Sequence, residues 1–145
     1  IINYCILNDI GTLVVGYNET FQRNSNIGKA NKQTFVNIPY GKLREKLEYL
    51  CKLNGITYVK QEESYTSKAS FWDKDTIPVY NSDNPQNFAF SGKRIHRGMY
   101  QCANGKRINA DVNGALNILR KSSVVDLTVL YGRGEVDTPV RIRVA

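Results

Sequence analysis

An α/β fold is predicted by three features of the chain. Thr12 to Tyr17 is a strand-sized apolar run. Tyr40, Leu43, Leu47, Leu50 and Cys51 form a helical stripe that begins after Pro39 and stops at Asn54 and Gly55. Ile56 to Lys60 is a second short strand. A strand, a long connection, a helix and a strand make a crossover unit with parallel strands. The chain has 145 residues, 41% of them hydrophobic, enough for one ordinary core, so one domain is the default.

The remaining elements follow in order. Ile1 to Leu7 reads as the end of a helix, and Asn8, Asp9 and Gly11 turn the chain into the first strand. Asn18 to Gln33 is polar, rich in Asn, Lys and Gly and without periodicity, which predicts a long solvated loop able to touch phosphates, with disorder the equal alternative. From Ser67 to Asp111 the composition shifts to turn formers and basic residues, with Pro78, Asn84 and Pro85 breaking regular structure, as in an insertion. Inside it, Met99 to Cys102 and Lys106 to Asn109 flank Asn104 and Gly105, a pair suited to a two-residue hairpin turn. A final helix follows, with Val112, Ala115, Leu116 and Leu119 as its expected buried stripe. Val124 to Tyr131 is read as a strand or short helix, and Gly132 to Ala145 as a basic tail carrying Arg133, Arg141 and Arg143.

Charge narrows the choice of partner. Lys and Arg number 20 against 13 Asp and Glu, a formal charge of +7, which favours a polyanion through steering and counterion release. Nucleic acid is the first candidate, and a solvated basic surface is the alternative. No run approaches the roughly 20 apolar residues of a membrane helix, so no membrane partner is expected. No signal-peptide pattern opens the chain, and the first residue is Ile1, which suggests a fragment. Cys5, Cys51 and Cys102 are odd in number and far apart, which fits a reducing compartment.

The chemistry-bearing residues gather around the insertion. Asp111 opens the final helix directly behind the basic hairpin, where a nuclease presents a metal ligand; a carboxylate favoured by the helix dipole is the alternative reading. Glu62 and Glu63 close the second strand, and ligand sites of open α/β sheets lie at such strand ends. Glu63 or Glu62 with Asp111 could hold magnesium, a hard cation that prefers carboxylate oxygens and keeps waters for phosphate. Thr66, Ser67 and Lys68 offer hydroxyls and charge to a phosphate backbone, and a capped turn between strand and insertion is the equal alternative. Lys93, Arg94, His96, Arg97, Lys106 and Arg107 form a basic edge expected to track phosphates rather than read bases, with a solvated hairpin face as the alternative. His96 has no partner at a triad spacing. No zinc is expected, because the insertion offers only Cys102 and His96 where a structural site needs four ligands.

YTSKAS, Tyr65 to Ser70, and NADVNGALNILRK, Asn109 to Lys121, resemble the C-terminal signatures of TnpB (OrfB) proteins, transposon-encoded RNA-guided DNA endonucleases related to type V CRISPR effectors. The resemblance implies the later part of a RuvC-like nuclease of RNase H fold, with an inserted degenerate zinc-ribbon-like hairpin. Its expected divisions are a nuclease core over 1–66, the ribbon over 67–109, the last RuvC-like helix over 110–123 and a basic tail over 124–145. It also implies magnesium as cofactor, DNA and a guide RNA as partners, and a prokaryotic cytoplasmic setting at the nucleoid. Asp111 matches the catalytic Asp of the family's DxNAAxNI pattern.

Three departures qualify the resemblance. The family's opening catalytic Asp lies upstream of anything present, so this piece alone is expected not to cut DNA. Gly16, Tyr17 and Asn18 stand where a catalytic Glu is usual, with Glu19 close by, which makes Glu63 the preferred substitute and Glu62 the next. In the YTSxxCxxC pattern the first Cys pair is replaced at Ser70 and Asp73, and only Cys102 remains of the second. The ribbon is therefore expected to be held by turn chemistry and by Phe71, Trp72 and Tyr100. A nuclease-dead nucleic-acid-binding derivative, or an inactive truncated product, is the alternative to a nuclease.

Overall fold

The computed structural model describes residues 1–18 and 39–132, and the chain divides into two compact units, Ile1–Gln61 and Glu62–Ala145. All of the expected polar loop from Asn18 to Gln33 except Asn18, and the tail arginines Arg133, Arg141 and Arg143, lie outside the described residues. Among the described residues no helix is long and apolar enough to cross a membrane.

In the first unit, helix α1 spans Ile2–Leu7, strand β1 Thr12–Tyr17, helix α2 Tyr40–Leu53 and strand β2 Thr57–Glu62. The two strands form a small parallel sheet. Its core is Cys5, Cys51 and Ile56, with Ile2, Ile10, Leu13 and Tyr58 packed against them. α1 ends where the Asn8 side-chain amide donates to Tyr4 O at 2.9 Å, and Asp9 reverses the chain at φ 51°. α2 ends in the same way, with the Asn54 amide on Leu50 O at 2.8 Å and Gly55 left-handed at φ 68°. Of the expected α2 stripe, Leu47 and Cys51 are buried, whereas Leu43 is 46% exposed. β2 starts one residue later than expected because Ile56 N–H is still occupied by Cys51 O at 2.9 Å.

In the second unit, β3 (Lys93–His96), β4 (Met99–Gln101) and β5 (Arg107–Asn109) form an antiparallel sheet in that order, and helix α3 (Ala110–Ser122) follows without a break. The register pairs Arg94 with Tyr100 and Tyr100 with Ile108. The β4–β5 connection differs from the expected two-residue turn. Cys102 N–H still bonds Lys106 O at 2.9 Å, so the loop is Ala103, Asn104 and Gly105, with Gly105 at φ 84°. Glycine there accommodates the left-handed residue that closes a three-residue loop.

Two apolar clusters support this unit. Tyr100, Cys102, Ile108 and Ala110 pack with Trp72, and Phe71, Leu116 and Leu127 pack with Val112, Leu119 and Tyr131. The segment expected to be a strand or short helix ends in a 3-10 turn, Thr128–Gly132, which follows the buried Leu127. Gly92 is needed for close approach: a Cβ there would lie 2.5 Å from the Tyr100 ring and 2.6 Å from Gln101 O. Gly92→Ala is expected to destabilise the chain by about 1–3 kcal/mol through overpacking. Urea unfolding measures this, and an unchanged midpoint would contradict the contact.

Candidate nucleic-acid interface

The stretch 66–71 is held against α3 by two buried amides. Asn113 donates to Ala69 O at 2.8 Å and accepts from Phe71 N–H at 3.0 Å. Asn117 donates to Thr66 O at 2.9 Å and to Ala69 O at 2.7 Å. Both asparagines are fully buried, whereas Ala115, expected in the apolar stripe, is exposed. The stripe is displaced because the backbone of 66–71 presents carbonyl and N–H groups that require polar partners. The sequence signal for this was a pair of asparagines four residues apart beside the apolar positions.

Asp111 is set by the start of the same helix. Asn109 is both the last residue of β5 and the N-cap of α3, and its side chain accepts from Asp111 N–H at 2.9 Å and Val112 N–H at 3.0 Å. Ala110 N–H bonds Gly98 O at 2.9 Å, which ties the helix start to the β3–β4 turn. The Asp111 side chain is 88% exposed, with an Arg94 guanidinium nitrogen 3.6 Å from its carboxylate. An anchored, open carboxylate thus stands beside a cation on the edge of the basic sheet.

Glu62 lies with the opposite end of α3. Its carboxylate accepts from Lys121 Nζ at 2.5 Å, and the same ammonium bonds Ser64 O and Pro78 O. Asp111 and Lys121 are ten residues apart, about 15 Å along a helix, so the structure does not bring Glu62 to Asp111. Glu63 opens the turn in which its carbonyl accepts from the Thr66 hydroxyl at 2.8 Å. That turn is held by Asn117, roughly 9 Å along the helix from Asp111. Burial raises the Glu62 pKa, but hydrogen bonds from Lys121 and Ser64 outweigh it and hold the carboxyl below its ordinary value.

The expected phosphate contacts divide into two groups. Ser67, Lys68, Lys93, Arg94, Arg97 and Arg107 are exposed. Thr66 is buried and its hydroxyl donates to Glu63 O, the arrangement of a capped turn after the strand. Lys106 is half-buried, with its ammonium 4.2 Å from the centre of the Trp72 ring. At the positions of the missing cysteines, Ser70 Oγ accepts from Asp73 N–H at 3.3 Å and Asp73 accepts from Ala103 N–H at 2.9 Å. Burial raises the Cys102 thiol pKa above its ordinary value, partly offset by a hydrogen bond with Ser70. Burial also pushes the Tyr100 phenol up to about 12, and its hydroxyl donates to Lys68 O at 2.8 Å.

Two measurements check this geometry. Asn113→Ala and Asn117→Ala are each expected to cost about 1–3 kcal/mol by leaving buried backbone groups unpaired. Because both amides serve Ala69 O, their combined loss in urea unfolding should exceed the sum of the single losses. The depressed Glu62 carboxyl contributes stability that is complete above the ordinary Glu value of about 4.3 and is lost as pH falls through the lower folded value. Lys121→Met is expected to weaken that acid-limb dependence, and a wild-type pH profile would exclude the pair as its source.

No curated protein is significantly similar to the chain. The family model described as Cas12f1-like, TNB domain, matches residues 40–118, a span that includes α2, the three-stranded sheet and most of α3, and the chain therefore belongs to the Cas12f1-like family.

Proposed function

We propose that the chain acts on nucleic acid as the C-terminal part of a RuvC-like, RNA-guided DNA nuclease of the TnpB and Cas12 type. The observation that supports this most is the anchored Asp111 carboxylate beside Arg94 at the edge of the basic sheet. In this reading Arg94 grips a phosphate that approaches Asp111, while Lys93, Arg97 and Arg107 hold the flanking backbone. DNA and a guide RNA are the proposed partners, with guide pairing choosing the sequence.

Magnesium is the proposed cofactor, and Asp111 fits as one of its ligands because such an ion takes one or two carboxylates and keeps several waters. When bound, it would supply Lewis-acid polarisation of a scissile phosphate and a more acidic water. Glu62 does not fit as the companion ligand, since Lys121 neutralises it at the other end of α3. Glu63 remains the companion that the chain itself offers. In the intact parent, Asp111→Asn is expected to abolish magnesium-dependent cleavage of DNA, and full activity in that variant would end the nuclease reading. Unchanged cleavage in Glu63→Gln would exclude Glu63 as the companion.

A binding protein without cleavage is the second reading, favoured by the engagement of Glu62 with Lys121. Both readings require phosphate contacts. Arg94→Gln or Lys93→Gln should weaken nucleic-acid binding and lower the slope of log K against log salt by about 0.7–0.9 each, as measured by fluorescence anisotropy. The ribbon is proposed to stand without zinc, pinned through Ser70 and Asp73. Purified chain should then contain no stoichiometric zinc, and a chelator should leave its melting temperature unchanged.

A further inference from the structure

Next to the signature turn, an aromatic cluster faces solvent. Tyr65 lies at its centre, with ring centroids 5.2 Å from Phe88, 6.0 Å from Phe90 and 6.5 Å from Tyr80. Tyr80 is 46% exposed and Phe88 40%. Tyr65 adopts φ 63°, a left-handed conformation unfavourable for a bulky side chain. The Tyr65 ring contacts the two open rings, and its hydroxyl reaches Gln86 O at 3.4 Å. Open aromatic rings gathered on a third offer flat apolar surface that a ligand can cover.

We infer that Tyr80 and Phe88, backed by Tyr65, form a base-stacking platform for single-stranded nucleic acid. This rests on the nucleic-acid reading above and adds to it a strand type and a mode of contact. Charge favours this occupant over an apolar protein surface. The Lys68 ammonium lies 6.0 Å from the Tyr65 ring centre, and Lys93 and Arg94 begin three residues after Phe90, at most about 10 Å of extended chain. Asp83 is the lone acid between Pro78 and Gly92. Aromatic faces beside cations bind unpaired bases and backbone together, whereas a duplex keeps its base faces stacked internally.

The test uses the full chain and fluorescence anisotropy with oligothymidylate, an abasic oligonucleotide of equal length and a duplex. Wild type is expected to bind oligothymidylate more tightly than the other two. Tyr80→Ala and Phe88→Ala should each weaken that binding by about 5- to 150-fold, the range set by stacking of one base, with the salt slope and abasic binding unchanged. Tyr80→Leu and Phe88→Leu keep apolar surface but lose the flat ring, and should show the same loss. Equal binding of abasic and thymidine strands by wild type, or wild-type affinity in the alanine variants, would overturn the platform alone. A change in oligomeric state with unchanged oligonucleotide affinity would assign the patch to self-association instead. No binding of any oligonucleotide would remove the nucleic-acid reading as well.

Discussion

The second unit depends on the hydrogen bonds that Asn113 and Asn117 make to the backbone of residues 66–71. An irregular segment cannot be buried against a helix unless its N–H and C=O groups find partners, and the cost of failure is about 1–3 kcal/mol per group. Amide side chains one helical turn apart supply donors and an acceptor on the face that an apolar stripe would otherwise occupy. With those groups satisfied, Phe71 can enter the core beside Leu116 and Leu127. The two stretches that carry the family resemblance are therefore the two sides of one contact.

The same helix separates its charges by end. Asp111 stands in the first turn, and Arg120 and Lys121 in the last, the arrangement favoured by the helix dipole. Each end then acquires a counterion of a different kind. Arg94 and Asp111 are both largely exposed and their pairing is screened by water, so it can be exchanged for a phosphate or a cation at little cost. Lys121 is only 9% exposed and bonds Glu62 and two carbonyl oxygens, so that end is structural. Exposure thus distinguishes the two carboxylates, Asp111 open to water and Glu62 tied to a buried ammonium.

Around the sheet, polar side chains hold the turns. Asp75 accepts from Ser70 N–H at 2.8 Å and from Ser91 N–H at 3.0 Å, while Arg120 donates to Asp75 O at 2.6 Å. Trp72 lies against Tyr100, Cys102 and Ile108 and is covered by Lys106. These contacts join the turn at 70–75, the strand pair and α3 within one unit, and so hold Asp111 relative to the basic edge.

Local rules in the sequence determined β1, the body and end of α2, the hairpin around Asn104 and Gly105, and the placement of Asp111 at a helix start, because periodicity, caps and turn residues act over a few positions. Boundaries shifted where backbone groups were already engaged, as at Ile56 and in the loop closed by Gly105. Only the tertiary structure decided the burial of Asn113 and Asn117 and the pairing of Glu62 with Lys121. Each of these joins residues distant in sequence or depends on which face is covered, and no local pattern specifies the partner of a polar group across 40 or more positions. The composition indicated a polyanionic partner; the fold selected which acid and which cation meet at its surface.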